Sequence, residues 1–237
     1  MVPTMAMPNV PFSSPYYPYK KVVSGANALK GAELIPYKIL MYLLDLPDSY
    51  GYIPPDSNDY PRARLMKYLW NDGARPLDGP LPTPAEKRSL LFDPNNPDIN
   101  TDEDKLNHPK GYRLFMQRNV NQSLLDAQTL IKIYPGRILD DNDFHTVIGL
   151  QAEIWCNYGL VTNTKTTAYD RTFDIECCLR EALAGVDISG VGCVHFSRNG
   201  GSYNGSEILY TDSELCGRML YFSTAWAEGG GDTVTTY

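Results

Sequence analysis

No C-x-x-C pair occurs in the 237 residues, and the five cysteines are an odd number. This argues against a disulfide framework and a zinc ribbon, and it favours folding in a reducing compartment. Histidine is scarce: His108, His145 and His195 are the whole complement. None lies in H-E-x-x-H, and no G-x-S-x-G or cysteine-centred family signature accompanies them. No run of about 18 apolar residues exists, which excludes a transmembrane helix. The opening stretch MVPTMAMPNVPFSSPYYPYKK lacks a basic n-region and a continuous apolar h-region, so it is not expected to act as a signal peptide. In a chain that is not secreted, the sequons at Asn121 and Asn204 carry no weight. Phosphate-binding loops are missing too. GARPLDGP lacks the lysine and the following helix, and AEGGGDT lacks a preceding strand. The acidic run DINTDEDK has neither the glycine nor the closing glutamate of an EF-hand. Positive charge is also short, with 21 Lys and Arg against 28 Asp and Glu and a net charge of −7. An acidic chain does not grip phosphate backbones non-specifically, although it can let DNA pass.

What is present is an ordinary globular balance, with 43% hydrophobic and 21% charged residues, in a chain long enough to bury a core without staples. Eighteen prolines, nineteen glycines and seventeen tyrosines depart from that balance. Proline at this density implies long, stiff, irregular segments. Tyrosine suits surfaces that become interfaces.

Three regions follow. Residues 1–19 hold five prolines and three tyrosines without periodicity and read as an extended N-terminal arm, either a disordered tail or an arm that orders against a neighbouring subunit. Residues 20–226 read as a single α+β domain. Residues 227–237 read as a flexible tail whose end, TVTTY, can pair as a strand in trans. Within the domain, AELIPYKILMYLLDLP puts Ile35, Ile39, Leu43 and Leu46 on one helical face, with Pro36 in the first turn and Pro47 as the stop. YPRARLMKYLWND forms a second helix, capped by Asp59 and striped by Leu65, Tyr68 and Leu69. Residues 71–111, with seven prolines, predict a long excursion over the surface, with a short helix at Pro84–Leu91.

From about residue 112 the pattern turns to strands. AQTLIKIYPGRIL alternates around Leu130 and Tyr134 and breaks at Pro135-Gly136. TVIGLQAEIWCNYG alternates throughout, with Ile148, Leu150, Ala152, Ile154, Cys156 and Tyr158 on one face. These two segments predict an antiparallel pair around the acidic turn DDNDF. YDRTFDIECCLREALAG then shifts to the helical period, with Ile175, Cys178, Leu179, Ala182 and Leu183 on one face and Gly185 as its stop. Short β-rich runs with Gly-Gly and Asn-Gly turns complete the domain. Helices and strands segregate, so the expected fold is α+β. It has an antiparallel or mixed sheet, a helix packed on one face, N-terminal helices and a long irregular loop.

Adjacent cysteines on a helix point about 100° apart, which suits neither a mutual disulfide nor joint capture of one metal. A thiol in mid-helix also lacks the positive helix N-terminus that lowers a thiol pKa. Cys178 is therefore expected to be core and Cys177 to border it. Cys156 and Cys193, in β-rich runs, invite the same reading. Cys193 and His195 share a face if their strand is extended, but two ligands do not make a structural zinc site. Arg62, Arg64 and Lys67 form the densest basic cluster and read as a solvated helix face. No catalytic, cofactor-binding or metal-ligating residue is assigned, and no cofactor is expected.

YPRARLMKYLWNDGARPL, KGYRLFMQRNVNQSLLDAQTLIKIYPGRI, GLQAEIWCNYG and RMLYFSTAW together resemble, in order and style, neck proteins of tailed bacteriophages, the head-completion and tail-terminator-like class. In many members of that class a strand pair precedes a helix and two final strands. The resemblance covers roughly residues 34–226, leaving the N-terminal arm and residues 71–111 without a counterpart. It implies a structural protein of the virion, not an enzyme, folded in the host cytoplasm. It implies a homo-oligomeric ring, a hexamer, at the head–tail junction, in contact with head-completion, connector and tail proteins. DNA passes through the lumen without specific binding, and no membrane is involved. Another tail or baseplate adaptor is the related alternative. A small hydrolase or transferase using Cys193 and His195 is the alternative from a different class.

Overall fold

The computed structural model describes residues 32–45, 53–92, 102–118, 129–140, 145–157, 170–196, 205–210 and 215–227. Residues 1–19, Leu46, Pro47, residues 141–144 of the DDNDF turn, Tyr158 and the TVTTY segment lie outside that description.

Two short helices open the domain. A 3-10 turn, Ala32–Leu34, leads into α1, Ile35–Leu44, with Pro36 in its first turn, where a missing N–H goes unnoticed. Ile35, Ile39, Leu40 and Leu43 of α1 are buried. α2, Pro61–Trp70, is preceded by Tyr60 without a side-chain cap, so Asp59 does not cap it. Pro61 at the first position supplies the preset φ instead. Leu65, Tyr68 and Leu69 are buried as expected.

The proline-rich excursion is anchored more firmly than a surface loop. A 3-10 turn, Pro76–Asp78, and the helices α3, Pro84–Ser89, and α4, Asp102–Asn107, punctuate it. Thr83 and Glu86 close a reciprocal capping box on α3. Leu90 is fully buried in the main core, and Leu91 bridges to Leu114. Leu77, Leu81 and Leu91 pack against the same core, so several apolar residues hold the excursion onto the fold.

Among the described residues, seven strands form one mixed sheet. They are β1 (Leu114–Phe115), β2 (Thr129–Asp140), β3 (His145–Asn157), β4 (Asp187–Ile188), β5 (Gly192–His195), β6 (Gly205–Tyr210) and β7 (Leu215–Ala227). Their order is β1-β2-β3-β7-β5-β4, and β6 also pairs with β7. β1 lies parallel to β2, and the other pairings are antiparallel. β2 and β3 are the antiparallel pair that the alternation predicts. Pro135-Gly136 does not end β2, however. The register slips between Pro135 and Ile138, and pairing resumes to Asp140. This is a bulge, and it dictates the residue opposite: a Cβ at Gly149 would stand 2.7 Å from the Arg137 carbonyl oxygen.

One helix, α5, Arg171–Leu183, lies on one face of the sheet. Asp170 caps it by accepting from the Thr172 amide, and Gly185 follows it with φ of +70°. Ile175, Cys178, Leu179, Ala182 and Leu183 share a core with Ile148, Leu150, Ala152 and Ile154 of β3 and Leu220 and Phe222 of β7. α1 and α2 contribute to the same core. The fold is therefore α+β, with helices gathered on one face of a mixed sheet. A smaller apolar cluster of Tyr112, Phe115 and Leu130 sits on the other face. Leu179 is fully buried at the centre of this packing. Leu179→Ala is expected to lower stability by about 2–5 kcal/mol in denaturant unfolding. A change under about 0.5 kcal/mol, as at a surface site, would undo the helix placement.

Candidate functional site

α5 carries acids inside the fold, and their partners define its surroundings. Asp174 is buried and faces α2. Arg64 Nη2 donates to its Oδ1 at 2.6 Å, and the Tyr68 hydroxyl donates to its Oδ2. Arg64 Nε also donates to Cys178 Sγ at 3.1 Å. Glu176 faces the sheet, where it accepts from Arg180 Nε at 2.8 Å and from Arg218 Nε, on β7, at 2.7 Å. Burial alone would raise the Glu176 pKa, but hydrogen bonds from Arg218, Arg180 and Ser206 outweigh it and hold the carboxyl below its ordinary value. On the opposite face of the sheet, Glu153 accepts from Lys132 Nζ at 3.0 Å, from Trp155 Nε1 at 2.9 Å and from the Tyr134 hydroxyl.

Arg62 and Arg64 correct the sequence reading of a solvated basic face. Arg62 is buried, donates to the Tyr42 carbonyl and lies 4.1 Å over the Tyr42 ring. Lys67 donates to Asn58 Oδ1 at 2.7 Å. All three are engaged with protein atoms; Arg62 is buried, while Arg64 and Lys67 stay partly exposed.

Arg171, at the first turn of α5, is wholly buried. Its Nη2 donates to the Gly73 carbonyl, and its guanidinium lies 5.8 Å from the Tyr68 ring centroid. Its Nε and Nη1 have no hydrogen-bond partner among the described residues. Burial lowers its pKa, opposed by the nearby Cys156, Tyr68 and Asp72.

The thiols separate by position. Cys178 and Cys156 are fully buried, as expected, and burial pushes each up to about 12. Cys177 borders the core and Cys216 is half-buried; burial raises both. Protonated thiols of this kind are poor nucleophiles. Cys193 departs from the expectation, because it is exposed. β5 is four residues long and turns only Val194 inward, so Cys193 and His195 share the outward face, as the alternation predicts. Among the described residues, no group of three or more His, Cys, Asp or Glu could hold a metal ion. No helix among them is long and apolar enough to cross a membrane.

The long-range ion pairs of α5 were not visible in the sequence. Arg64 and Asp174 are 110 residues apart, and Glu176 and Arg218 are 42 apart, so no local spacing links them. The one hint was compositional: acids immediately flank the apolar stripe of DRTFDIECC. In comparisons with known proteins, the chain matches no family model and no curated protein.

Two measurements test this description. In the native state, iodoacetamide is expected to modify Cys193 first, with Cys156 and Cys178 reacting only after denaturation. Early loss of Cys178 would contradict its core position. The second concerns Glu176. Its folded pKa lies below the unfolded value near 4.5, so its stabilisation is complete above that pH and is lost as the pH falls through the folded value. Glu176→Gln is expected to be less stable than the parent at pH 7, with the gap narrowing as the pH drops below about 4.5. A gap that stays constant down to pH 3 would show that the charge is not what stabilises the site.

Proposed function

We propose that the chain is a structural subunit of a tailed-phage virion. It forms one part of a ring at the head–tail junction, joins the capsid connector to the tail, and lets DNA pass. The observation that carries this reading is the order of the central elements: the long β2–β3 pair, then α5, then the closing strand β7, with α5 laid on one face of the sheet. The neck and tail-terminator resemblance implies a strand pair, then a helix, then closing strands; here four strands, β4 to β7, follow α5, where the resemblance implies two.

Two physical features support it. The polar side chains nearest α5 are engaged in braces that hold helix to sheet and helix to helix, as suits a part whose work is mechanical. The net charge of −7 disfavours retention of DNA, since like charges repel along a lumen. The subunit folds in the host cytoplasm and ends in the virion, with other copies of itself and with head-completion, connector and tail proteins as partners.

Light scattering across concentrations tests the reading. A discrete species at the mass of a hexamer of the 26.6 kDa chain is expected. A monomer at every concentration that also stays monomeric when mixed with connector or tail particles would overturn it.

A further inference from the structure

Sheet edges that end in water are usually guarded by charge, proline, bulges or shortness. Most edges of this sheet follow that rule. β4 is two residues long. β2 is covered at Ile131 and Lys132 by β1, and beyond that point it carries Pro135, a bulge and the exposed Arg137. β6 is guarded least. Among the described residues this strand, GSEILY, pairs with β7 on one side only; it has no proline, no lysine and no register shift, and its one charge, Glu207, accepts from the Tyr221 hydroxyl of β7. Its side chains leave apolar surface open: Ile208 is 54% exposed. Ile208 stands opposite Arg218, whose guanidinium lies 5.0 Å from the ring centroid of Phe173 on α5. Phe173 and Cys177, one turn apart on α5, are themselves only half-buried. An apolar shelf therefore runs beside a row of backbone donors and acceptors that is unpaired among the described residues, the arrangement that accepts an added strand.

We propose that residues 233–237 of a neighbouring copy add to the open edge of β6. The inference rests on the ring reading for the presence of that second copy. The segment TVTTY has four β-branched residues and a tyrosine, with no charge and no proline, so each of its amides can donate. Residues 1–19 are poorer candidates, because five prolines remove donors from the ladder.

Geometry favours donation between copies over return within one. Ala227 ends β7, six residues beyond Tyr221, which pairs with Gly205 at the start of β6. That offset is about 20 Å along the strand, and a new strand outside β6 stands about 10 Å to the side of β7. The direct path is roughly 22 Å, close to the most that the steps from Ala227 to Thr233 can span when fully extended. β5 also lies on that side of β7, where it pairs with Ser223 and Thr224, and obstructs a straight return.

Cross-linking between separately marked chains tests the proposal. One full-length chain carries Ile208→Cys, and the other carries Thr233→Cys, Val234→Cys or Thr235→Cys to cover neighbouring registers. Both carry Cys193→Ser to remove the exposed thiol. After mixing and mild oxidation, a disulfide joining the two chains is expected for at least one of the three. A chain shortened after Asp232 is expected to self-associate at least tenfold more weakly, with an unchanged melting temperature for the monomer. Ile208→Lys is expected to do the same. A discrete oligomer that survives both changes, or a cross-link formed only within a doubly substituted chain, overturns the strand donation and leaves the ring reading standing. Loss of the oligomer on removal of residues 1–19, but not of 233–237, assigns the edge to the N-terminal arm and also overturns it. A full-length chain that is monomeric at every concentration overturns it as well, and the mixing experiment with connector or tail particles then decides the ring reading separately.

Discussion

A buried helix that carries carboxylates must bring its counter-charges with it. α5 turns Asp174 and Glu176 into the protein, on either side of the stripe formed by Ile175, Cys178 and Leu179. Taking two carboxylates out of water is costly, and the cost is offset only where partners and hydrogen bonds are complete. Asp174 finds them on α2 in Arg64 and Tyr68. Glu176 finds them in Arg180 of the same helix and in Arg218 of β7. The two acids therefore fix α5 against different elements. Apolar burial presses helix and sheet together, but it is non-directional. The paired carboxylates set rotation and register, because a shift of one residue would expose one acid to apolar surroundings and strand its arginine. Helix, sheet and α2 thus hold a single mutual arrangement.

That rigidity places the open edge. Arg218 holds Glu176 with one part of its guanidinium and lies over Phe173, and its backbone pairs with Ile208. The shelf beside β6 is consequently built on the same brace that fixes α5, and it does not depend on a separate loop. An interface carried on a firm element loses less conformational freedom on binding, which is what the proposed ring contact would draw on.

The regular part of this architecture was legible from the chain. Strict alternation over Ile148–Cys156 and the helical spacing from Ile175 to Leu183 each report one buried face, and burial is what the sheet and α5 then show. The failures share a cause. Arg62 and Arg64 look solvated on a helical projection, because a projection assigns charge to water unless a partner is visible, and their partners come from other elements. Pro135-Gly136 looks like the end of a strand, yet Gly149 on the facing strand leaves room for the bulge and lets pairing resume. Cys193 sits in a β-rich run, but its strand is too short to be covered on both faces. Local pattern carries periodicity, and it cannot carry which distant residue completes a charge, a ladder or a layer.

The same inward use of arginine shapes the outside of the protein. Arg62 and Arg171 are buried without a carboxylate partner among the described residues and rely on carbonyls and aromatic rings. Each is a positive charge counted in the net charge of −7 yet withdrawn from the surface. Arg64 and Arg218 are withdrawn together with Asp174 and Glu176, which leaves the balance outside unaltered, whereas Arg113 is buried and its partner Asp72 stays exposed. The exterior is therefore more acidic than the composition states. Exposed charges act over about a Debye length, near 8 Å at physiological salt, so it is this exterior that a passing polyanion meets. In a lumen made from repeated copies the effect recurs with each subunit. The surface would then repel phosphate without any residue dedicated to the task, as a consequence of where the fold puts its arginines.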